Sequence, residues 1–346
     1  MSSIASISRC EFLKLGGVGL FGLWLPNISS PTHSANFLFP SGQQGRVTDA
    51  TINIYRSPSF DDEVISIYWK DIILHITGIS ISENLSAHNR VWYQINGGGY
   101  AYSGSIQPVR TILNDPVTRL PKQNNLAEVT VPFTDAYGIP NKAGKAIYRF
   151  YYETTHWVDE AIADNENNIW YRISDDKYET YQFVSARHLR LIPDSELSML
   201  SPEIPPDLKR IEVRLGSQLV IAYEAEKPVF MTRASTGGSF NRGIYATPSG
   251  SKITFHKRPS AHMAAGNLAF NGFDLPGVPW VSYITESGVA FHGTFWHNDF
   301  GKPRSHGCIN ISSKAAKWIY RWTQPLVPPD VKYRFLDFGT RVDVVE

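Results

Sequence analysis

Apolar and polar residues alternate with a period of two along much of this chain. The clearest case is Asn89-Arg90-Val91-Trp92-Tyr93-Gln94-Ile95, which returns 78 positions later as Asn167-Asn168-Ile169-Trp170-Tyr171-Arg172-Ile173. Val91, Tyr93 and Ile95 set against Trp92 and Gln94 is the pattern of a strand with one buried face. Each copy closes on a similar strand, Gly99-Tyr100-Ala101-Tyr102-Ser103 and Tyr181-Gln182-Phe183-Val184-Ser185. So long an offset predicts two copies of a small β domain, not a solenoid of short repeats. They occupy residues 36–115 and 124–195, joined across Pro116–Gln123. Trp92 and Trp170 are expected in the cores of these copies, because a strand tryptophan is more often buried than offered as a stacking platform.

Residues 196–207 read as a linker, with Pro202, Pro205 and Pro206 as its punctuation. Beyond it, Arg210–Leu215, Gln218–Tyr223 and Val229–Thr232 predict three strands, turning at Gly216-Ser217 and at Glu226-Lys227-Pro228. Val278–Ile284 and Val289–His292 predict a hairpin across Glu286-Ser287-Gly288, which places His292 at a strand end. Lys314–Trp322 has helical spacing, with Ser312 or Ser313 as its cap. Tyr333–Val345 supplies closing strands. The fold class expected is mainly β, with one clear helix in the last domain, residues 208–346.

The N-terminal pattern differs. Polar Met1–Lys14 precedes an apolar, glycine-rich run from Leu15 to Leu25, which Pro26 ends. That run is too short to span a membrane, which takes roughly 20 residues, and matches an export signal over residues 1–35. Ser8-Arg9-Cys10-Glu11-Phe12-Leu13-Lys14 is similar to a twin-arginine motif with Cys10 in place of the second arginine. His33 before Ser34-Ala35 fits the small-x-small cleavage rule poorly, so the sequence sets no cleavage site. The expectation is an exported, cell-envelope protein with no stable membrane span.

Composition adds two constraints. Hydrophobic content of 42% and charged content of 19% exclude a disordered chain, and the 22 prolines and 26 glycines suit short strands and tight turns. A net charge of +1 argues against nucleic-acid binding, which calls for a basic stripe. Lys302, Arg304, Arg242, Lys257 and Arg258 are basic groups near the residues discussed next. They read either as a solvated rim or as attraction for a carboxylate-bearing substrate.

The chain has two cysteines, and Cys10 lies in the signal. Cys308, in Ser305-His306-Gly307-Cys308-Ile309-Asn310, therefore has no partner for an intramolecular disulfide in the mature chain. An exported protein that keeps an oxidisable thiol usually uses it. His292 stands sixteen positions upstream, in Phe291-His292-Gly293-Thr294-Phe295-Trp296. A thiolate attacks, and histidine can take the thiol proton and return it to a departing amine. Gly307 permits a sharp turn and close substrate approach. The amides of Gly307 and Cys308 are candidate oxyanion donors. Three other readings compete. A buried structural thiol is disfavoured by the polar neighbours. Zinc bound by His292, His297, His306 and Cys308 matches no familiar spacing. A papain-like peptidase needs its histidine after the cysteine, and no histidine follows Cys308.

Two resemblances follow. Val47–Pro58, the Trp-Tyr strand and the Gly-Tyr strand resemble bacterial SH3-like barrels of cell-wall proteins, which implies a role in wall binding or spacing. Ser235-Thr236-Gly237, Thr247-Pro248-Ser249-Gly250, His292-Gly293-Thr294 and the Cys308 motif resemble the catalytic domain of YkuD-type L,D-transpeptidases. That resemblance implies a cysteine acyltransferase acting on peptidoglycan stem peptides, donor and acceptor, with no cofactor and no metal. Cys308 would be the nucleophile and His292 the base and acid, oriented by a carbonyl near Gly293. Ser305, His306 and Gly307 would shape the site, with Gly307 and Cys308 as oxyanion donors and Trp296 and Asn310 in the pocket wall. Arginine stands at the position of Asn310 in many members. Water in place of the acceptor amine would make the enzyme a carboxypeptidase. A wall-binding protein without activity would be expected to lack Cys308 or His292.

Overall fold

The computed structural model describes residues 42–346 apart from 241–242 and 269–271, together with the backbone of a short strand at Phe37–Leu38. The export signal expected over residues 1–35 lies outside the described residues. So does Arg242 of the basic group. No helix among the described residues is long and apolar enough to cross a membrane, a statement that leaves strands aside.

The N-terminal region forms two sheets. The first contains β1 (Phe37–Leu38), β2 (Gln44–Val47), β3 (Thr51–Tyr55), β4 (Val64–Trp69), β5 (Ile73–Ile81), β6 (Val91–Ile95), β7 (Tyr100–Tyr102) and β8 (Ile106–Val109). The second contains β9 (Asn125–Val129), β10 (Phe133–Tyr137), β11 (Ala146–Tyr151), β12 (Thr155–Ala163), β13 (Ile169–Asp175), β14 (Thr180–Ser185) and β15 (Leu189–Leu191). The order β4-β3-β7-β6-β5-β2-β8 is repeated as β11-β10-β14-β13-β12-β9-β15. The sequence repeat falls on β6 and β13, which take equivalent places in the two sheets.

Trp92 and Trp170 are each 2% exposed and pack inward. The alternation over Val91–Ile95 suggests one buried face, yet Trp92 and Tyr93, on opposite faces, are both buried. The second cover is aromatic. Phe60, from the β3–β4 loop, lies 4.8 Å from Trp92 between ring centroids, and Tyr55 and Tyr102 lie at 5.6 Å. Such tilted and edge-on pairs add to the burial term.

The C-terminal region has two five-stranded sheets sharing one core. In the first, β16 (Lys209–Arg214), β17 (Leu219–Glu224) and β18 (Lys227–Arg233) form a meander, with its second turn at Ala225-Glu226, earlier than the Pro228 position suggested. Both of those residues have positive φ, the backbone of a tight two-residue hairpin turn. A short hairpin follows, β19 (Ser239–Phe240) and β20 (Gly243–Ile244), and then β21 (Gly250–Ile253). The second sheet is made of β22 (His256–Ala265), β23 (Phe273–Tyr283), β24 (Ala290–Gly293), β25 (Ile309–Ile311) and β26 (Arg334–Phe335). β27 (Arg341–Val345) returns to the first sheet, parallel to β16.

The helix α1, Ser313–Trp322, begins at Ser312, whose side chain accepts the Ala315 N–H at 3.3 Å. Ala315, Ala316, Ile319, Tyr320 and Trp322 form its buried stripe, against Ile211 and Val213 of one sheet and Phe291 and Ile309 of the other. Two lysines meet its C-terminal end. Lys257 Nζ donates to the carbonyls of Tyr320 at 2.5 Å and Thr323 at 2.7 Å, and Lys209 Nζ donates to those of Trp322 at 3.5 Å and Leu200 at 2.9 Å. Their Nζ–H groups satisfy carbonyls the helix leaves open, while burial lowers the pKa of both lysines. Lys257 is 1% exposed, so it belongs to neither a solvated rim nor a substrate-attracting patch.

Candidate active site

The parallel pairing of β24 with β25 organises the site. Phe291 faces Ile309, His292 faces Asn310 and Gly293 faces Ile311. Phe291, Ile309 and Ile311 enter the core shared with α1. Alternation then puts His292, Asn310 and Cys308, just before β25, on the opposite face. Cys308 thus stands two positions before Asn310, the residue opposite His292. Gly293 is required by close packing: a Cβ there would lie 2.7 Å from Pro279 Cγ and 2.9 Å from Ser313 Cα at the start of α1.

His292 is 2% exposed, and its Nδ1–H donates to the Gly293 carbonyl at 3.1 Å. This fixes the tautomer and leaves the Nε2 lone pair free to accept a proton. Burial pulls its pKa down to about 4, partly opposed by that hydrogen bond. The Cys308 thiol donates to the Gly288 carbonyl at 3.6 Å. Burial pushes its pKa up to about 11, with a hydrogen bond from the Ala290 backbone acting in the other direction. Both shifts favour the neutral form of the group. The arrangement suits a base that takes the thiol proton as attack proceeds, not a preformed thiolate–imidazolium pair.

Gly307 holds φ at +109°, a backbone other residues rarely adopt. Its N–H donates to Ser305 Oγ at 3.1 Å, and Ser305 Oγ–H donates to the Cys308 carbonyl at 2.5 Å. The Gly307 N–H, one of the two expected oxyanion donors, is therefore engaged within the motif in this structure. The Gly307 carbonyl accepts from Thr247 Oγ1 at 2.7 Å, which in turn accepts the Gly237 N–H at 2.9 Å. The Ser-Thr-Gly and Thr-Pro-Ser-Gly pieces, turn-rich in sequence, act here as props for the turn before Cys308.

Trp296 is half-buried, its ring 5.6 Å from that of His292. His306 is exposed and meets the Tyr245 ring edge-on at 4.4 Å. Asn310, expected in the pocket wall, lies opposite His292 on β25. It is 2% exposed, and its side-chain amide contacts His297 Nε2 at 3.2 Å, which makes it a support for the loop after β24. Among the described residues, no three His, Cys, Asp or Glu side chains converge as a metal site. Lys302 and Arg304 do not form a free basic rim, for both bind Asp299, at 2.7 and 2.8 Å. Arg258 pairs with Asp176.

Sequence reasoning missed Asp299. Its carboxylate is 2% exposed and also receives His88 Nε2 and Tyr102 OH, each at 2.7 Å. Burial alone would raise its pKa, but hydrogen bonds from Lys302, Tyr102 and His88 hold it well below the usual carboxylate range. No local signal marks Asp299, because two of its partners lie about 200 positions away, His88 in the β5–β6 loop and Tyr102 on β7.

The L,D-transpeptidase catalytic domain of the YkuD family matches residues 208–344. Among solved structures, a mutant of the Enterococcus faecium L,D-transpeptidase is similar at 23% identity, covering 39% of this chain and 49% of that one, with a TM-score of 0.31. The catalytic domain of the E. faecium enzyme is similar at 23% identity over 40% of this chain and 97% of that one, TM-score 0.31. An L,D-transpeptidase from Mycobacterium smegmatis is similar at 15% identity over 51% and 90%, TM-score 0.33. The chain spans about half the length of the first solved structures it matches. Comparison with curated proteins finds no match. The C-terminal region of this mainly β chain, residues 208–344, is a YkuD-type L,D-transpeptidase catalytic domain.

Proposed function

We propose that the protein is a cell-wall L,D-transpeptidase that works through a thioester on Cys308. The observation that carries this reading is the β24–β25 pairing, which sets the free thiol of Cys308, just before β25, beside the strand of a histidine whose Nδ1–H is held by Gly293, leaving Nε2 to act as base. In acylation, Sγ attacks the carbonyl of the third residue of a tetrapeptide stem while its proton passes to His292 Nε2. The tetrahedral intermediate collapses, and His292 returns the proton to the nitrogen of the departing D-alanine. An amine on a second stem then attacks the thioester, His292 again carrying the proton, and Cys308 leaves as a thiol. The direction of both pKa shifts suits this cycle, because neither group needs to hold a charge between turnovers.

The two N-terminal sheets are read as SH3-like modules, supported by their shared strand order and by the repeated Trp-Tyr strand. An envelope location, reached by export, suits such a substrate. The test is incubation of purified protein with tetrapeptide muropeptides, with and without an amine acceptor, read by mass. Cross-linked product from wild type and none from Cys308→Ala is the expected result. Tripeptide alone would assign the carboxypeptidase outcome at the same site, and unchanged tetrapeptide would refute the reading.

A further inference from the structure

The loop between His292 and Cys308 is gripped by a part of the chain far away in sequence. Arg46, buried at the start of the first sheet, donates to the Phe295 carbonyl at 2.5 Å. The Asn298 N–H donates to the Gly104 carbonyl at 3.0 Å, and Asn298 Nδ2 donates to the Ser103 carbonyl at 3.2 Å. His88 and Tyr102 reach Asp299. Arg233, on the catalytic side, returns the contact by donating to the His88 carbonyl at 2.7 Å. The fit at Gly104 is close: a Cβ there would lie 2.5 Å from Tyr102 Cε1 and 2.7 Å from Asp299 Oδ1.

From Asp299 the connection runs inward. Its N–H donates to His297 Nδ1 at 3.3 Å, and His297 Nε2 meets the side-chain amide of Asn310, the residue opposite His292. The first sheet thus fixes Phe295, Asn298 and Asp299, while Trp296, within the same stretch, lies beside the His292 ring. Trp296 and Cys308 both pack against the buried cluster that contains Phe295. We infer that the first N-terminal sheet is a fixed clamp on the catalytic loop, with His88 and Tyr102 as positioning residues that act through Asp299. This rests on the acyl-transfer reading of the site, and it assigns this module a part in catalysis beyond spacing or wall attachment. A charged, buried carboxylate with two of its four partners on another module makes a strong and geometrically demanding link.

The experiment uses the full chain as wild type, Tyr102→Phe, Tyr102→Phe/His88→Leu and Gly104→Ala. Circular dichroism and thermal midpoints establish that each is folded at the assay temperature. Acylation of Cys308 by a carbapenem is followed by mass for its saturating rate, half-saturation concentration and pH profile. Alkylation of Cys308 by iodoacetamide at pH 8, mapped to its peptide, gives a readout independent of the acyl-transfer reading. In the double variant the saturating rate is expected to fall about tenfold, the size of losing a hydrogen bond to a buried charge. Half-saturation stays nearly unchanged, and the acid limb moves to higher pH as water reaches His292. Alkylation becomes faster. Wild-type values throughout, in the double variant and in Gly104→Ala, would overturn the clamp. Should the double variant fail to fold, Tyr102→Phe, which removes one hydroxyl, decides by the same readouts. Should wild type take no acyl group, the acyl-transfer reading fails, and the alkylation rates alone decide the clamp.

Discussion

Raising the pH of an alkylation experiment tests the resting state of the thiol. An ordinary cysteine, with a pKa near ~8.5, is about 3% thiolate at pH 7. Cys308, pushed up to about 11 by burial, would be ionised to only ~1 part in 10,000 at that pH, roughly 300-fold less. The more basic thiolate is intrinsically more nucleophilic, with a Brønsted slope of ~0.4–0.5, which recovers about a factor of ten. A net retardation of ~30-fold against free cysteine follows at pH 7, before limited access slows it further. The assay is the initial rate of iodoacetamide labelling of the Cys308 peptide between pH 6.5 and 10.5, by mass. The rate is expected to climb tenfold per pH unit, without a plateau below pH 10. Because burial also holds His292 neutral, at about 4, His292→Ala should leave this profile nearly unchanged while abolishing acyl transfer. Labelling at pH 7 as fast as free cysteine, flat above pH 8 and lost in His292→Ala, would show an ion pair at rest and refute the burial reasoning.

Other perturbations address the supports. In Gly237→Ala the new Cβ would overlap the Tyr245 carbonyl oxygen and lie 2.7 Å from Gly307 Cα. A loss of about 1–3 kcal/mol in urea unfolding, the usual cost of overpacking, should accompany a large fall in acylation rate. His262 bridges Asp175 and Asp274 at 2.5 Å each, joining the second sheet to the catalytic domain. Burial would lower its pKa, but these carboxylates raise it above the usual value of ~6.5. Its contribution to stability is therefore complete below about pH 6.5 and lost as pH rises through the folded value. Urea midpoints at pH 6 and pH 9 should differ more for wild type than for His262→Gln, and equal differences would remove His262 from the account.

Much of the fold was legible because its signals are local. The Trp-Tyr strands announced their repeat, and Ser312 and the stripe from Ala315 to Trp322 announced the helix. β22 was not legible, because His256-Lys257-Arg258-Pro259 reads as a polar segment. Lys257 can be buried there only because the end of α1 supplies carbonyls. The inner face of Trp92 was hidden for a related reason, since Phe60 arrives from a loop. In the candidate site, Cys308, His292 and the Gly307 turn are local features that a short stretch of sequence displays. The inward turn of Asn310 and the role of Asp299 arise from contacts with His297, His88 and Tyr102, which no window of sequence contains.

The central claim, that Cys308 carries the acyl group with His292 as its base, meets its most direct test in one trapped intermediate. Wild type, Cys308→Ser and His292→Ala are each mixed with a carbapenem, quenched in acid, digested and mapped by mass. The account predicts one adduct per chain, on the peptide containing Cys308, in wild type alone. An adduct on any other residue, or an undiminished one in His292→Ala, would contradict it.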